Sequence, residues 1–322
     1  MASVPDMIKK QPTRIAVLFP GQGSQIVGMT SELAEAYPEI RDTFAEASEA
    51  LGEDLWAICQ DEEKLNQTQY TQPALLTASI AIWRILQPKF KKPPCYLAGH
   101  SLGEYSALCA AGVISLADAV RLVHTRGQLM QEAVVGIDTA MAAVLGLEDH
   151  RVENLCEQAT EHVDGAIVGA ANFNSPGQVV VSGNAAGVTA VIDKVKNTGK
   201  KAIPLKVSVP SHCALMAPAS SALAEALAAI KFDQATIPVI QNRHARVESS
   251  AAGIKQALTE QLSEPVLWSK TMQELADKQI NILIECGSGN VLSNLAKRQA
   301  QPIASYPTDK PTRLDKLMEV LS

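Results

Sequence analysis

The 322-residue sequence has no excess of basic residues: 28 Lys and Arg stand against 34 Asp and Glu, for a formal net charge of −6. Nonspecific binding to a polyanion needs clustered Lys and Arg to displace counterions, so nucleic acid is excluded as a general partner, and an acidic protein partner would need a local basic patch. Cysteines in metal-ligand spacing are also missing. The six that occur (Cys59, Cys95, Cys109, Cys156, Cys213 and Cys286) form no CxxC pair, in a chain too long to need disulfide staples. They are expected to be buried thiols, with no metal. No apolar run approaches the roughly 18 residues of a membrane span, and the opening MASVPDMIKKQPT carries no apolar leader core. The expectation is a cytoplasmic protein with no membrane partner. Internal repeats and low-complexity segments are absent as well.

What is present reads as a globular α/β protein. A hydrophobic content of 47% with 19% charged residues is ordinary for a packed chain. Single cores stop growing near roughly 250–300 residues, so the length fits one large domain that carries an insertion. Residues 14–20 (RIAVLFP) form a short apolar strand that breaks into the Gly-rich GQGSQ of residues 21–25. Helices follow, including 73–85, too apolar for an exposed position; a Pro and Lys linker (87–94) leads to a second buried strand at 95–100. From Met141 the order changes to strand (141–147), helix (149–162), strands (166–172 and 178–183), helix (186–197) and strand (201–207). That βαββαβ order predicts a ferredoxin-like unit. The expected fold class is therefore α/β: a large α/β-hydrolase-like domain (1–137 and 208–322) interrupted by a ferredoxin-like small domain (138–207). In the second part of the large domain, helices are expected at 217–230, 253–262, 269–278 and 290–299, and strands at 237–241 and 280–285.

Gly99, Ser101 and Gly103 form GxSxG between a strand and the helical 104–111, the context of a nucleophile elbow. Glycines on both flanks let a sharp turn close, and the following helix start offers N–H groups to developing negative charge. A serine hydroxyl needs a base within hydrogen-bond reach. Of six histidines, His124, His150, His162 and His244 read as solvated surface, and His100 adjoins the nucleophile but points elsewhere in a tight turn. His212, after a strand and stiffened by Pro210 in VPSH, is the best base.

Residues 115–135 read as one helix capped by Ser115 with Asp118. Arg121 lies on its polar stripe and is expected to be solvated. Arg126 has Leu122, Val123, Leu129 and Met130 three and four residues away, all apolar. A buried guanidinium keeps its charge and demands an anion. That anion is either a buried Asp or Glu or a substrate carboxylate gripped by bidentate hydrogen bonds. With a serine acyl-enzyme alongside, the second choice implies a dicarboxylic half-ester, malonyl being the smallest common one.

These residues resemble the malonyl-CoA:acyl carrier protein transacylases of fatty acid synthesis and the related acyltransferase domains of polyketide synthases. The likeness runs from Ile15 to Arg298 and rests on FPGQGSQ (19–25), GHSLGEYSAL (99–108), RGQLMQ (126–131), NFNSPGQVVVSG (172–183), VSVPSHCALM (207–216) and QLSEPVLW (261–268). It implies Ser101 as nucleophile, His212 as general base and acid, and Arg126 as the grip on the malonyl carboxylate. The backbone N–H groups of Gln22 and Leu102 would form the oxyanion hole, and the backbone carbonyl of Gln261 would orient the histidine in place of an Asp. His100, Met130, Asn172 and Asn174 complete the expected substrate-binding set. Leu102 and VPSH resemble malonyl-selective members more than methylmalonyl ones. No cofactor or metal is implied; malonyl-CoA is the substrate and acyl carrier protein the partner.

The chain departs from the family pattern at Gly287-Ser288-Gly289, where relatives usually have Pro between the glycines, an expected loosening of that loop. It also has Arg243-His244 after Asn242, an expected change in carrier docking. Lys194, Lys196, Lys200 and Lys201, or Lys297 with Arg298, are candidate contacts for an acidic carrier. Three alternatives stay open on sequence: a malonyl transferase of a polyketide pathway, a serine hydrolase using the same elbow, and a noncatalytic carrier-binding subunit.

Overall fold

The computed structural model describes residues 12–207 and 209–321. The expected boundary at residue 208 and the first eleven residues of the expected large domain lie outside them. Two sheets organise the chain. The first has six strands, β1 (Ile15–Phe19), β2 (Tyr96–Gly99), β7 (Val239–Gln241), β8 (Arg246–Val247), β9 (Ile282–Glu285) and β10 (Ala304–Pro307), in the order β10-β9-β1-β2-β7-β8. All its pairs are parallel except β7 with β8. The second is a four-stranded antiparallel sheet of β3 (Thr139–Leu145), β4 (Val168–Ser175), β5 (Gln178–Asn184) and β6 (Lys201–Pro204), ordered β4-β5-β3-β6. Helices Asp149–His162 and Ala185–Asn197 sit between its strands in sequence.

Parallel strands buried on both faces read as continuous apolar runs, and β1 (IAVLF) is one: Val17 and Phe19 join the core on one face, Ala16 and Leu18 that on the other. The first core includes the helix Thr68–Leu86, in which only Gln69, Tyr70 and Arg84 escape burial. Pro73 lies inside this helix and has no N–H to give to the Gln69 carbonyl four residues back. That carbonyl is met instead by His124 Nδ1 at 2.9 Å. His124 is thus half-buried and structural, which corrects its reading as solvated surface. The thiols are corrected in part: all six are free, but Cys95 and Cys109 are only half-buried.

The antiparallel sheet divides its side chains by the two-residue period of a strand. Val179 and Val181 of β5, with Ala142 and Val144 of β3, pack against Val152, Cys156, Val188, Val191 and Val195 of the two helices. Their alternates Val180, Met141 and Ala143 face the opposite way, over the carboxyl ends of the parallel strands. The two sheets are stitched together there. Phe173 N–H donates to the Val266 carbonyl at 3.0 Å and Val266 N–H to the Ala171 carbonyl at 2.9 Å. Arg298 donates to Gln178 Oε1 and Gln299 to the Asn174 carbonyl, each at 2.8 Å.

Candidate active site

Ligands of open parallel sheets bind beyond the carboxyl ends of the strands, where the strand order reverses. In this sheet β1 is followed along the chain by β2 on one side and, much later, by β9 on the other. The loops after β1 (21–25), β2 (Ser101), β7 (Asn242) and β9 (287–289) all converge at that point. A cleft of about 290 Å³ opens between them and the free face of the antiparallel sheet, lined by Gln22, His100, Ser101, Arg126, Asn172, Asn174 and His212 among others. Three larger hollows, two of about 640 Å³ and one of about 330 Å³, lie against the helix Asp149–His162 and contain none of these residues. Chemistry, not volume, picks out the site.

Ser101 sits between β2 and the helix Leu102–Ala110 with φ 53° and ψ −110°, a conformation that non-glycine residues avoid. The turn is possible because its flanks have no side chains: a Cβ on Gly99 would overlap the Gly103 backbone, and one on Gly103 the Phe19 carbonyl. Asn242 then clasps the turn from both sides. Its Oδ1 accepts from Ser101 N–H and its Nδ2 donates to the Gly99 carbonyl, each at 2.6 Å.

His212, buried and also at positive φ, lies with Nε2 2.7 Å from Ser101 Oγ and Nδ1 2.6 Å from the Gln261 carbonyl. A carbonyl only accepts, so Nδ1 carries the proton and Nε2 is free to receive that of the serine. Burial first, then the neighbouring Arg126, push the imidazole pKa down to about 3. It is neutral in the free protein.

Arg126 is 1% exposed. It donates to Gln72 Oε1 at 2.8 Å, to Gln261 Oε1 at 3.2 Å and to Ser101 Oγ at 3.3 Å. All three acceptors are neutral. Glu104 is buried nearby, but its Oε2 accepts from Asn242 N–H at 2.8 Å and from Gln261 Nε2 at 2.9 Å, and among the described residues no carboxylate forms an ion pair with Arg126. Burial raises the Glu104 pKa to about 7, against the lowering effect of its two donors and Arg126.

The backbone N–H groups of Gln22 and Leu102 donate to no protein acceptor among the described residues. The Gln22 loop is braced: Ser24 Oγ donates to the Gly21 carbonyl at 2.7 Å and Ser288 Oγ to the Ser24 carbonyl at 2.8 Å. Ser288 thus ties the two loops together at the position where the sequence suggests a looser loop. His100 does not touch Ser101 Oγ, but it lines the same cleft, its Nε2 2.8 Å from Asn174 Oδ1 and its ring against Trp268. Asn172 and Met130 also line the cleft. Arg243 faces Glu260 and Glu264 at 3.5 and 3.7 Å. Among the described residues no group of three or more His, Cys, Asp or Glu is placed to hold a metal ion.

A strained serine, a neutral imidazole in line with it, and a buried cation that no carboxylate pairs with fit a site for acyl groups that end in a carboxylate. The comparisons with known proteins agree. Residues 17–306 match the acyl transferase domain family. The malonyl CoA-acyl carrier protein transacylase of Salmonella typhimurium is 50% identical over 94% of this chain and 98% of its own length. The chain belongs to the malonyl CoA-acyl carrier protein transacylase family. Two solved structures extend the likeness to the fold of that family. FabD from Acinetobacter baumannii superposes with a TM-score of 0.93 at 51% identity, covering 96% of this chain and 98% of its own. A type II PKS acyl-carrier protein in complex with its malonyl-transacylase gives 0.92 at 46% identity, covering 96% and 100%.

Sequence reasoning passes over Glu104, Asn242 and Gln72, which brace the side chains of the candidate site. The test that singled out Arg126 finds Glu104 too, since Ala107 and Leu108 lie three and four positions on. Asn242, directly after a strand, carried no such signal.

Proposed function

We propose that this protein moves a malonyl group from malonyl-CoA to the phosphopantetheine thiol of an acyl carrier protein through a malonyl ester on Ser101, supplying extender units for fatty acid synthesis. The observation that carries this reading is the buried Arg126, held by neutral acceptors only, with Nη2 3.3 Å from the Oγ that His212 addresses at 2.7 Å. A malonyl carboxylate on Arg126 puts the thioester carbonyl, two carbons away, beside Ser101.

His212 Nε2 takes the Ser101 proton as Oγ bonds to the thioester carbon, and the N–H groups of Gln22 and Leu102 receive the resulting oxyanion. The carbon–sulfur bond then breaks, and coenzyme A leaves with the proton from His212. The carrier thiol gives its proton to His212, attacks the serine ester and releases Ser101 by the same steps in reverse, so the kinetics are ping-pong. Thioester and serine ester are close in reactivity, so the reaction calls for no cofactor. The Gln261 carbonyl orients His212 where an Asp would stand in other triads. Asn172, Asn174, His100 and Met130 shape the acyl and pantetheine space.

Within the α/β fold, the parallel sheet and its helices are read as an α/β-hydrolase-like large domain (1–137 and 208–322), and the antiparallel sheet as a ferredoxin-like insertion (138–207). The enzyme is read as cytoplasmic, and no helix among the described residues is long and apolar enough to cross a membrane. A polyketide carrier is the second reading, favoured by the similarity to the transacylase in complex with a type II PKS carrier.

Intact-protein mass spectrometry after brief exposure to malonyl-CoA tests the proposal. One malonyl adduct is expected, absent in Ser101→Ala and discharged by holo carrier protein. Steady release of free malonate in place of discharge would make the protein a hydrolase. Absence of any adduct would leave a noncatalytic carrier-binding subunit.

A further inference from the structure

Among the described residues, only Glu104, Arg126 and Glu285 are charged side chains that are fully buried, and burying a charge is costly unless it serves as a partner. Glu285 caps the short helix beside the site, accepting from Leu292 and Ser293 N–H at 2.9 and 2.7 Å. The carboxylate of Glu104 has a different place. Its Oε2 accepts twice, from the Asn242 backbone N–H and the Gln261 side-chain amide, while Oε1 has no partner.

Those two donors belong to the residues that hold the three reacting side chains. Asn242 grips Ser101 N–H and the Gly99 carbonyl. Gln261 does more: its Nε2 also reaches the Ser101 carbonyl at 3.1 Å, its Oε1 accepts from Arg126, and its backbone carbonyl accepts from His212 Nδ1. With Nε2 facing two acceptors, Glu104 Oε2 and the Ser101 carbonyl, the amide turns its oxygen toward Arg126. An oxygen that accepts two hydrogen bonds carries no proton of its own, so this arrangement is the same whether Glu104 is ionised or not.

We propose that Glu104 is a positioning residue for malonyl loading: through Gln261 and Asn242 it sets Arg126 and the nucleophile turn in one register. It touches neither substrate nor reacting atoms. Without it the Gln261 amide loses an acceptor and Arg126 a fixed oxygen, and the loss at Arg126 falls on acyl groups ending in a carboxylate beyond any effect on the turn that all acyl groups share. The inference rests on the assignment of Arg126 to the malonyl carboxylate.

The experiment compares the rates at which Ser101 is loaded from malonyl-CoA and from acetyl-CoA in the wild type, Glu104→Ala and Glu104→Gln, with thermal melts to confirm folding. Glu104→Gln keeps an oxygen able to accept both hydrogen bonds, so its malonyl-to-acetyl ratio is expected to stay within about threefold of the wild type, whereas in Glu104→Ala the ratio falls about tenfold or more. Equal losses for the two acyl groups in folded Glu104→Ala, an unaltered ratio there, or a ratio in Glu104→Gln as low as in Glu104→Ala would each overturn the proposal. Should Glu104→Ala fail to fold, Glu104→Gln decides: a kept ratio supports the role and a lost one removes it. A wild type that takes no malonyl, or shows no preference for it, refutes instead the function on which the inference rests.

Discussion

Arg126, which no carboxylate pairs with among the described residues, has a direct effect on its neighbour. With the imidazole of His212 pulled down to about 3 by burial and by that cation, the free protein keeps an unprotonated base far into acid. A malonyl carboxylate bound to Arg126 offsets the cation and lets the His212 pKa rise. The acid limb of kcat/KM, which reports the free protein, is therefore expected at lower pH than the acid limb of kcat, and both limbs read from one pH series would expose a reversed order. The sign for stability runs the same way. A histidine held neutral in the fold but titrating near its ordinary 6.5 when unfolded contributes stability above that pH, which is lost as pH falls toward 3. Truncation of the cation itself is predicted to be selective. Arg126→Ala is expected to weaken malonyl loading by about 2–4 kcal/mol, as for loss of a charge-assisted pair, and acetyl loading far less. Equal losses in parallel rate measurements would refute the grip on the carboxylate.

At the scale of elements, the segments legible in the sequence were those with a strong period or an unambiguous break. Asp149–His162 lies at the residues expected of it, and the small sheet has the expected order of strands and helices. The helix expected at 115–135 is capped by Ser115 as read, but ends at Glu132, ahead of an exposed turn. What could not be read were elements defined by long-range partners. Strand β10 and the helix Pro311–Leu321 were not anticipated: β10 (ASYP) is too short and polar to announce itself, and becomes a strand by pairing with β9. The cleft shows the same limit. Gly99, Ser101 and Gly103 are visible as a local pattern, whereas the turn is held by Asn242, about 140 residues on, whose role exists only once β7 lies beside β2. The loop clasp at Ser288 is an element-scale feature with its own test. Ser288→Ala removes one buried neutral hydrogen bond, worth about 1 kcal/mol. Single-turnover loading is expected to slow by up to about tenfold as the Gln22 loop loses its brace; an unchanged rate with a lowered melting temperature would confine the clasp to stability.

For the whole molecule, the charge needed by an acidic carrier has to be local, since the net balance is −6. Lys297 is exposed just past Val291, Leu292 and Leu295, which line the cleft, as is Arg298, whose guanidinium also holds Gln178, and Lys200 and Lys201 are exposed on the edge of the small sheet. Lys194 and Lys196 are partly engaged, with Gln158 and Asp193. Charge reversal at Lys200 and Lys201, or at Lys297 and Arg298, is expected to raise the KM for the carrier severalfold while leaving that for malonyl-CoA less affected; a carrier KM that does not move would remove these surfaces from docking. The bonds from Val266 to Ala171 and Phe173 bear on traffic through the cleft. Pinned there, β4 is held at a set spacing from the segment before the helix Trp268–Asp277, so backbone bonds fix one wall of the aperture. A nucleotide-bearing donor and a protein-borne acceptor are expected to use that aperture in turn, because the room that one vacates is the room the other needs.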